Sequence, residues 1–257
     1  MRRILAIGIG AGDLEHMTVG AIRALNEADV LFEIERGVGD LTAVREQICR
    51  RYIEPGRRYR TVAVPEPARD RAAGAYGAAV EEWRARRAEV WEEMIEQELA
   101  PEECGAFLVW GDPSLYDSTI AVLDGVQARG RTQFELEVVP GISSVQALAA
   151  RHRIALNRIG GAVLVTTGRR LRERGFPAGV DDVVVMLDAD CSFRRVDPDG
   201  VEIYWGAYLG TEDEILVAGP LAEVAAEIEA RRAQGREGKG WIMDCYLLRR
   251  QRARAAE

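Results

Sequence analysis

The sequence predicts an α/β protein in two units, an N-terminal one around a mostly parallel sheet and a C-terminal one around a mixed sheet. Three observations lead there. From residue 3 to residue 151, short apolar runs alternate with helix-period segments, the pattern of a parallel sheet covered on both faces. After residues 155–160 strand-like runs outnumber helices, which requires antiparallel neighbours. The chain has 257 residues, 47% hydrophobic and 30% charged, the make-up of a globular protein with room for one large domain or two smaller ones.

The elements follow in order. Residues 3–9 are a buried strand ending in glycines. Thr18 caps a helix that runs to Asp29, with Val19, Ile22, Leu25 and Ala28 on one face. Strand 30–34, helix 41–51 and strand 59–64 complete the first alternation. Residues 68–99 are dense in Ala, Glu and Arg and form one long helical insertion, or two helices joined near Gly74–Gly77. Its charges read as a solvated face, and Trp83, Trp91 and Met94 as a packing stripe. Strand 105–110, helix 118–129, strand 134–139 and helix 142–151 close the first unit, set at 1–155. The second, 160–250, holds strands near 163–165, 183–187, 202–205 and 216–218, a helix over 221–233 and a closing strand at 241–247. The polar stretch from Arg249 begins a frayed tail, 251–257.

Composition narrows the chemistry. Cys49, Cys104, Cys191 and Cys245 are far apart, with no C-x-x-C pair, and read as reduced, partly buried thiols. His16 and His152 have no partner at metal-ligand spacing, so neither zinc nor a histidine triad is expected. No apolar run approaches the ~18 residues needed to cross a bilayer, and no signal peptide is visible, so the protein reads as cytoplasmic. A net charge of −8 argues against a nucleic-acid partner.

Three glycine-bearing strand ends carry the functional signal. The first, Gly8-Ile9-Gly10-Ala11-Gly12-Asp13, tempts a dinucleotide reading, but Asp13 stands where the third glycine belongs and would oppose a pyrophosphate. The second is Trp110-Gly111-Asp112-Pro113-Ser114-Leu115-Tyr116-Asp117-Ser118-Thr119, at the C-terminal end of a buried strand, where open α/β sheets bind ligands. The third is Val138-Val139-Pro140-Gly141-Ile142-Ser143-Ser144, a strand, a Pro-Gly turn and hydroxyls at a helix start. Each also has a plain structural reading: close backbone approach, a Gly-Asp-Pro turn, a pair of N-caps.

Taken together with Gly210-Thr211-Glu212-Asp213-Glu214, these motifs closely resemble the tetrapyrrole (corrin/porphyrin) methyltransferase family, whose pattern is GxGxGD, GDPxxY, VxPGxSS and GTxxE. The resemblance covers nearly the whole chain, with Ala11 where many members have proline. It implies the two-domain tetrapyrrole-methylase fold with S-adenosylmethionine held in the cleft between the domains, S-adenosylhomocysteine as product, and a homodimer. Carried over by motif, Ala11, Trp110, Gly111, Asp112, Leu115, Ser143, Ser144, Met186 and Gly210 would contact the cofactor. Residues 8–18, the 68–99 insertion, residues 111–119 and Val165-Thr166-Thr167-Gly168-Arg169-Arg170-Leu171 are most similar to members that methylate C-1 of precorrin-5 and release acetate. The same fold also serves other corrin positions, uroporphyrinogen, diphthine and ribosomal RNA, and a decayed, non-catalytic binding protein is the alternative from another class.

Methyl transfer from a sulfonium leaves a neutral thioether and needs alignment more than proton transfer. Deacylation needs a proton handled as well. Asp117, Tyr116, Asp13 and Glu35 are candidates for that, which sequence alone does not rank, and each is also an ordinary turn or helix-start residue. The substrate's acetates and propionates should meet arginines. Arg169 and Arg170 fall inside the family-like motif, with Arg172 and Arg174 in the same cluster, and Arg36 follows the second strand. A solvated basic helix face is the other reading of that cluster.

Overall fold

The computed structural model describes residues 1–34, 39–67 and 76–251. The chain divides into two compact units, Met1–Ser143 and Ser144–Glu257.

The first unit contains β1 (Arg2–Gly8), α1 (Val19–Glu27), β2 (Val30–Ile34), α2 (Gly39–Tyr52), β3 (Arg60–Val64), α3 (Tyr76–Glu98), β4 (Cys104–Val109), α4 (Thr119–Arg129) and β5 (Phe134–Val139). Its sheet has the order β3-β2-β4-β1-β5, and every pairing is parallel. The all-apolar strands take the middle: Ile4 to Ile7 of β1 and all of β4 are buried, whereas β5, at an edge, exposes Glu135 and Glu137. The two-residue period of a strand sorts the core into layers. Ile4, Phe32 and Phe107 face α3 and α4, while Leu5, Ile7 and Leu108 face α1 and α2. Thr18 caps α1 as expected, its hydroxyl accepting from Ala21 N–H at 3.0 Å.

Helix α3 is unbroken from Tyr76, and the insertion's first part, with Gly74, lies outside the described residues. Trp91 serves as a packing residue, stacked on Phe107 with centroids 4.3 Å apart. The solvated-face reading needs correction at two residues. Arg87 and Glu92 are wholly buried, because α3 packs sideways on α4 as well as down on the sheet. Glu92 is paired there with Arg129 Nε at 2.7 Å.

The second unit contains α5 (Ser144–His152), β6 (Val163–Thr167), α6 (Gly168–Arg174), β7 (Asp182–Met186), β8 (Val201–Ala207), β9 (Ile215–Pro220), α7 (Leu221–Lys239) and β10 (Asp244–Arg250). The sheet order is β6-β7-β10-β8-β9, with only β6 and β7 parallel. The division falls one helix earlier than the 155–160 boundary read from the sequence. The reason is packing: α5 lies on β8 and β10, where Leu148 occupies the space a side chain at Gly206 would need.

Strand β7 stops at Met186 because Leu187 turns to φ 52°. Strand β10 runs through Arg249, which was expected in the tail. Its guanidinium instead donates to the fully buried Asp182 at 2.6 Å, across the β7–β10 register. Of the expected tail only Gln251 is described. All four cysteines are free, three of them buried, and burial pushes Cys49 and Cys104 up to about 11 and Cys245 to about 12. Among the described residues no helix is long and apolar enough to cross a membrane.

Candidate functional site

The three glycine motifs meet at the C-terminal ends of β1, β4 and β5, the adjacent central and edge strands of the first sheet. Gly10 and Gly111 exchange two hydrogen bonds, 3.3 and 2.8 Å, as an isolated antiparallel bridge just past the parallel strands. A Cβ on Gly141 would stand 2.2 Å from the Gly111 carbonyl oxygen and 2.8 Å from Gly8 Cα. The close approach is therefore between chain segments, and it is the backbones of Gly8, Gly111 and Gly141 that touch. Gly10, at φ 83°, and Gly111, at φ 71°, also occupy the left-handed region.

Asp112 ties the second motif to the third. One carboxylate oxygen accepts from Gly141 N–H at 2.8 Å, and the other from Ser114 N–H at 2.8 Å and from the Ser114 hydroxyl. Burial alone would raise this carboxyl, but the Ser114 hydroxyl and the two N–H groups outweigh it and hold it below its ordinary value of 3.8. A carboxyl depressed in the folded state stabilises fully above its unfolded pKa and loses that contribution as pH falls through the folded one. Asp112→Asn is thus expected to lower stability at neutral pH, with the gap to wild type closing as pH falls below 3.8. Urea midpoints at pH 7 and pH 3 check this.

Around this tie, Trp110 is partly buried, and its indole N–H is buried without an acceptor among the described residues. Ala11 and Ser143 are buried at 3% exposure, and Leu115 is half-buried. Tyr116 is exposed (44%) and sits at φ 51°, a conformation costly for a residue with a side chain. Asp117 Oδ1 accepts from Thr119 N–H at 2.6 Å and caps α4. Asp13 is similarly engaged, accepting from Glu15 N–H at 2.9 Å. Glu35 and Arg36 lie outside the described residues. His16, which has no partner at metal-ligand spacing in the sequence, packs its Cβ where a side chain at Gly10 would be, with Nδ1 buried and unpartnered among the described residues. No sequence pattern marks that arrangement.

In the second unit, Met186, Cys245 and Gly206 are in register across β7, β10 and β8. Ser144 joins that sheet edge, its carbonyl accepting from Cys245 Sγ at 3.7 Å. Gly210 follows β8 at φ 78°, its N–H donating to Glu214 at 2.9 Å. Arg169 and Arg170 are exposed on α6. Arg170 and Arg174, with Leu164, Val165, Leu171 and Pro177, line a cavity of about 210 Å³. Arg172 is instead paired with Asp190.

Comparison with known proteins adds the following. The profile of the Tetrapyrrole (Corrin/Porphyrin) Methylases matches residues 3–225. A precorrin-6A synthase [deacetylating] from Sinorhizobium sp is 51% identical over 252 residues, 97% of this chain and 96% of that protein. A crystal structure of a Corynebacterium diphtheriae protein described as related to cobalamin synthesis superposes with a TM-score of 0.83 at 37% identity, covering 98% of this chain and 100% of that one. Uroporphyrin-III C-methyltransferase from Thermus thermophilus, solved in complex with S-adenosylhomocysteine, shares the fold at a TM-score of 0.58 and 20% identity, with 96% of this chain and 91% of that one covered.

Proposed function

The chain belongs to the tetrapyrrole (corrin/porphyrin) methylases and is a methyltransferase, and from that premise we propose that it methylates C-1 of precorrin-5 from S-adenosylmethionine and releases acetate, giving precorrin-6A in cobalamin biosynthesis. The near full-length match to the Sinorhizobium precorrin-6A synthase carries this reading. S-adenosylmethionine brings a methyl group on a sulfonium whose positive charge disappears on transfer, so the protein's task is to hold and align.

The first unit is equipped for such a ligand. Trp110 offers an N–H with no acceptor among the described residues, and the Cβ direction of Gly111 is open, with its nearest neighbour, Ser143 Cα, at 3.7 Å. Leu115 and Ala11 supply apolar wall, and Ser143 a hydroxyl. Asp112 has hydrogen bonds from Gly141 and Ser114 at both oxygens, so it acts by shaping the loop that presents Trp110 and Leu115. Ser144, Met186 and Gly210, gathered at one end of the second sheet, are assigned to the same donor.

Loss of the acetyl group begins with water adding to its carbonyl. The bond to the ring carbon then breaks, its electron pair staying on the ring until the methyl group arrives. One proton must leave the water. Tyr116 is the better candidate for handling it, since one carboxylate oxygen of Asp117 is committed to capping α4. Arg170 and Arg174, beside an apolar-walled cavity, suit the carboxylates of the substrate's side chains, with Arg169 adjacent. The partners are a small-molecule corrin and a second copy of the chain in a homodimer, with no nucleic acid, in the cytoplasm.

Purified protein given S-adenosylmethionine and precorrin-5 is expected to form S-adenosylhomocysteine and acetate in equal amounts. Methylation without acetate would overturn the deacetylating assignment. Gly111→Arg is expected to abolish S-adenosylhomocysteine binding in calorimetry, because a long side chain would fill the space beside Ser143 Cα. Unchanged affinity would show that the ligand lies elsewhere.

A further inference from the structure

Arg87 is an unusual residue for a helix read as charged surface: its side chain is 0% exposed. It lies between two indoles, 4.6 Å from the Trp83 ring centroid and 4.7 Å from that of Trp91. Glu66, just after β3, faces its Nε at 3.4 Å, and Trp83 is itself fixed by a 3.0 Å bond from its Nε1 to the Pro67 carbonyl. The far end of the guanidinium donates to the hydroxyl of Ser118 at 2.5 Å.

That last contact explains an oddity at the start of α4. Ser118 occupies the N-cap position, yet its hydroxyl makes no capping bond. Asp117 provides the cap instead, from one residue earlier. The segment preceding the helix is thus held at two points: Asp117 to the helix, and Ser118 to a buried cation on another helix. Between them and the Asp112 turn sits Tyr116, in a left-handed conformation that persists only where its surroundings enforce it.

We propose that Arg87 is a positioning residue: through Ser118 it fixes the backbone of Tyr116–Ser118, and with it the direction of the exposed Tyr116 ring. The helical insertion thereby becomes a working part of the site. The guanidinium suits the task because it is planar, stacks between aromatic rings and still presents donors at its edge, which an ammonium cannot do. The functional half of this inference rests on the methyltransferase reading above; the structural half does not.

Ser118→Ala is the decisive variant, since it removes one contact and leaves Trp83, Trp91 and Glu66 around Arg87. Hydrogen exchange of the 114–119 amides in ligand-free protein should accelerate about tenfold, more than that of the other amides of the first unit. With precorrin-5 and S-adenosylmethionine, kcat should fall about tenfold or more, because small misplacements of reacting groups cost that much. Arg87→Lys should show the same two changes, and Ser118→Ala added to Arg87→Met should cost nothing further. Wild-type exchange and kcat in Ser118→Ala, or strictly additive losses, would overturn the proposal. If the wild-type protein gives no methyl transfer, the assigned activity fails, and the exchange measurement alone still decides the clamp.

Discussion

Alanine at Gly141 is expected to destabilise the first unit by more than about 3 kcal/mol and to abolish cofactor binding. The new Cβ would stand 2.2 Å from the Gly111 carbonyl oxygen and 2.8 Å from both Cα and C of Gly8. All of these are backbone atoms in or beside the two central strands, so no rotamer change relieves the clash. Either β5 leaves the sheet end or the Gly10–Gly111 bridge opens. Gly8→Ala should behave alike, since its Cβ would lie 2.5 Å from Gly141 N. Gly111→Ala is the control: its neighbour is 3.7 Å away, so only the left-handed backbone is penalised, at about 1–2 kcal/mol. Urea unfolding of the three variants should therefore separate them into two classes. A Gly141→Ala midpoint equal to that of Gly111→Ala would show that the strand ends part freely.

Arg249→Met is expected to cost the second unit about 3–5 kcal/mol, the range for stripping the partner from a buried charge. Asp182 is 0% exposed and receives Arg249 Nε at 2.6 Å, while its second oxygen has no hydrogen bond among the described residues. The same guanidinium bonds the carbonyls of Ala155 and Leu156 at 2.7 and 3.2 Å, so its loss also frees the segment between α5 and β6. Removing both charges together, as Asp182→Leu with Arg249→Met, should recover most of the loss, because no ion then remains to be desolvated. Equal instability of the single and double variants would show that packing, not charge, dominates there.

These two cases mark what could be read from the sequence. Strand ends bounded by Gly and Pro were legible, and β2 and β5 fall on the expected residues, because an apolar run that stops at a turn residue has one interpretation. That the glycines would touch one another was not legible, since each motif is equally consistent with a ligand approaching. Arg87 and Arg249 were misjudged for a common reason. In a charged helix or a polar terminus, the pattern gives no sign that one cation is itself buried, as Arg87 is, or lies over a buried partner, as Arg249 does. The helix expected over 142–151 carried no sign of which sheet it covers. The left-handed backbone of Tyr116 has no sequence mark, because a non-glycine residue is forced into φ 51° by what surrounds it. The functional motifs pointed to a family only as a set, and the family profile matches residues 3–225.

The contact among Gly8, Gly111 and Gly141 also dictates when the site can exist. Gly8 stands 103 residues before Gly111, and Gly111 30 before Gly141, and β5 is the last strand of its sheet to be made. A growing chain can pair β1 with β4 before that, but it has no tie from Asp112 to Gly141 and no wall from Ser143. Contacts so distant in sequence are late and slow to form. The end of the first unit that carries the three motifs is thus completed only once β5 is made, and if the proposed donor site is right, a nascent chain that has not yet exposed residue 143 should be unable to bind S-adenosylmethionine.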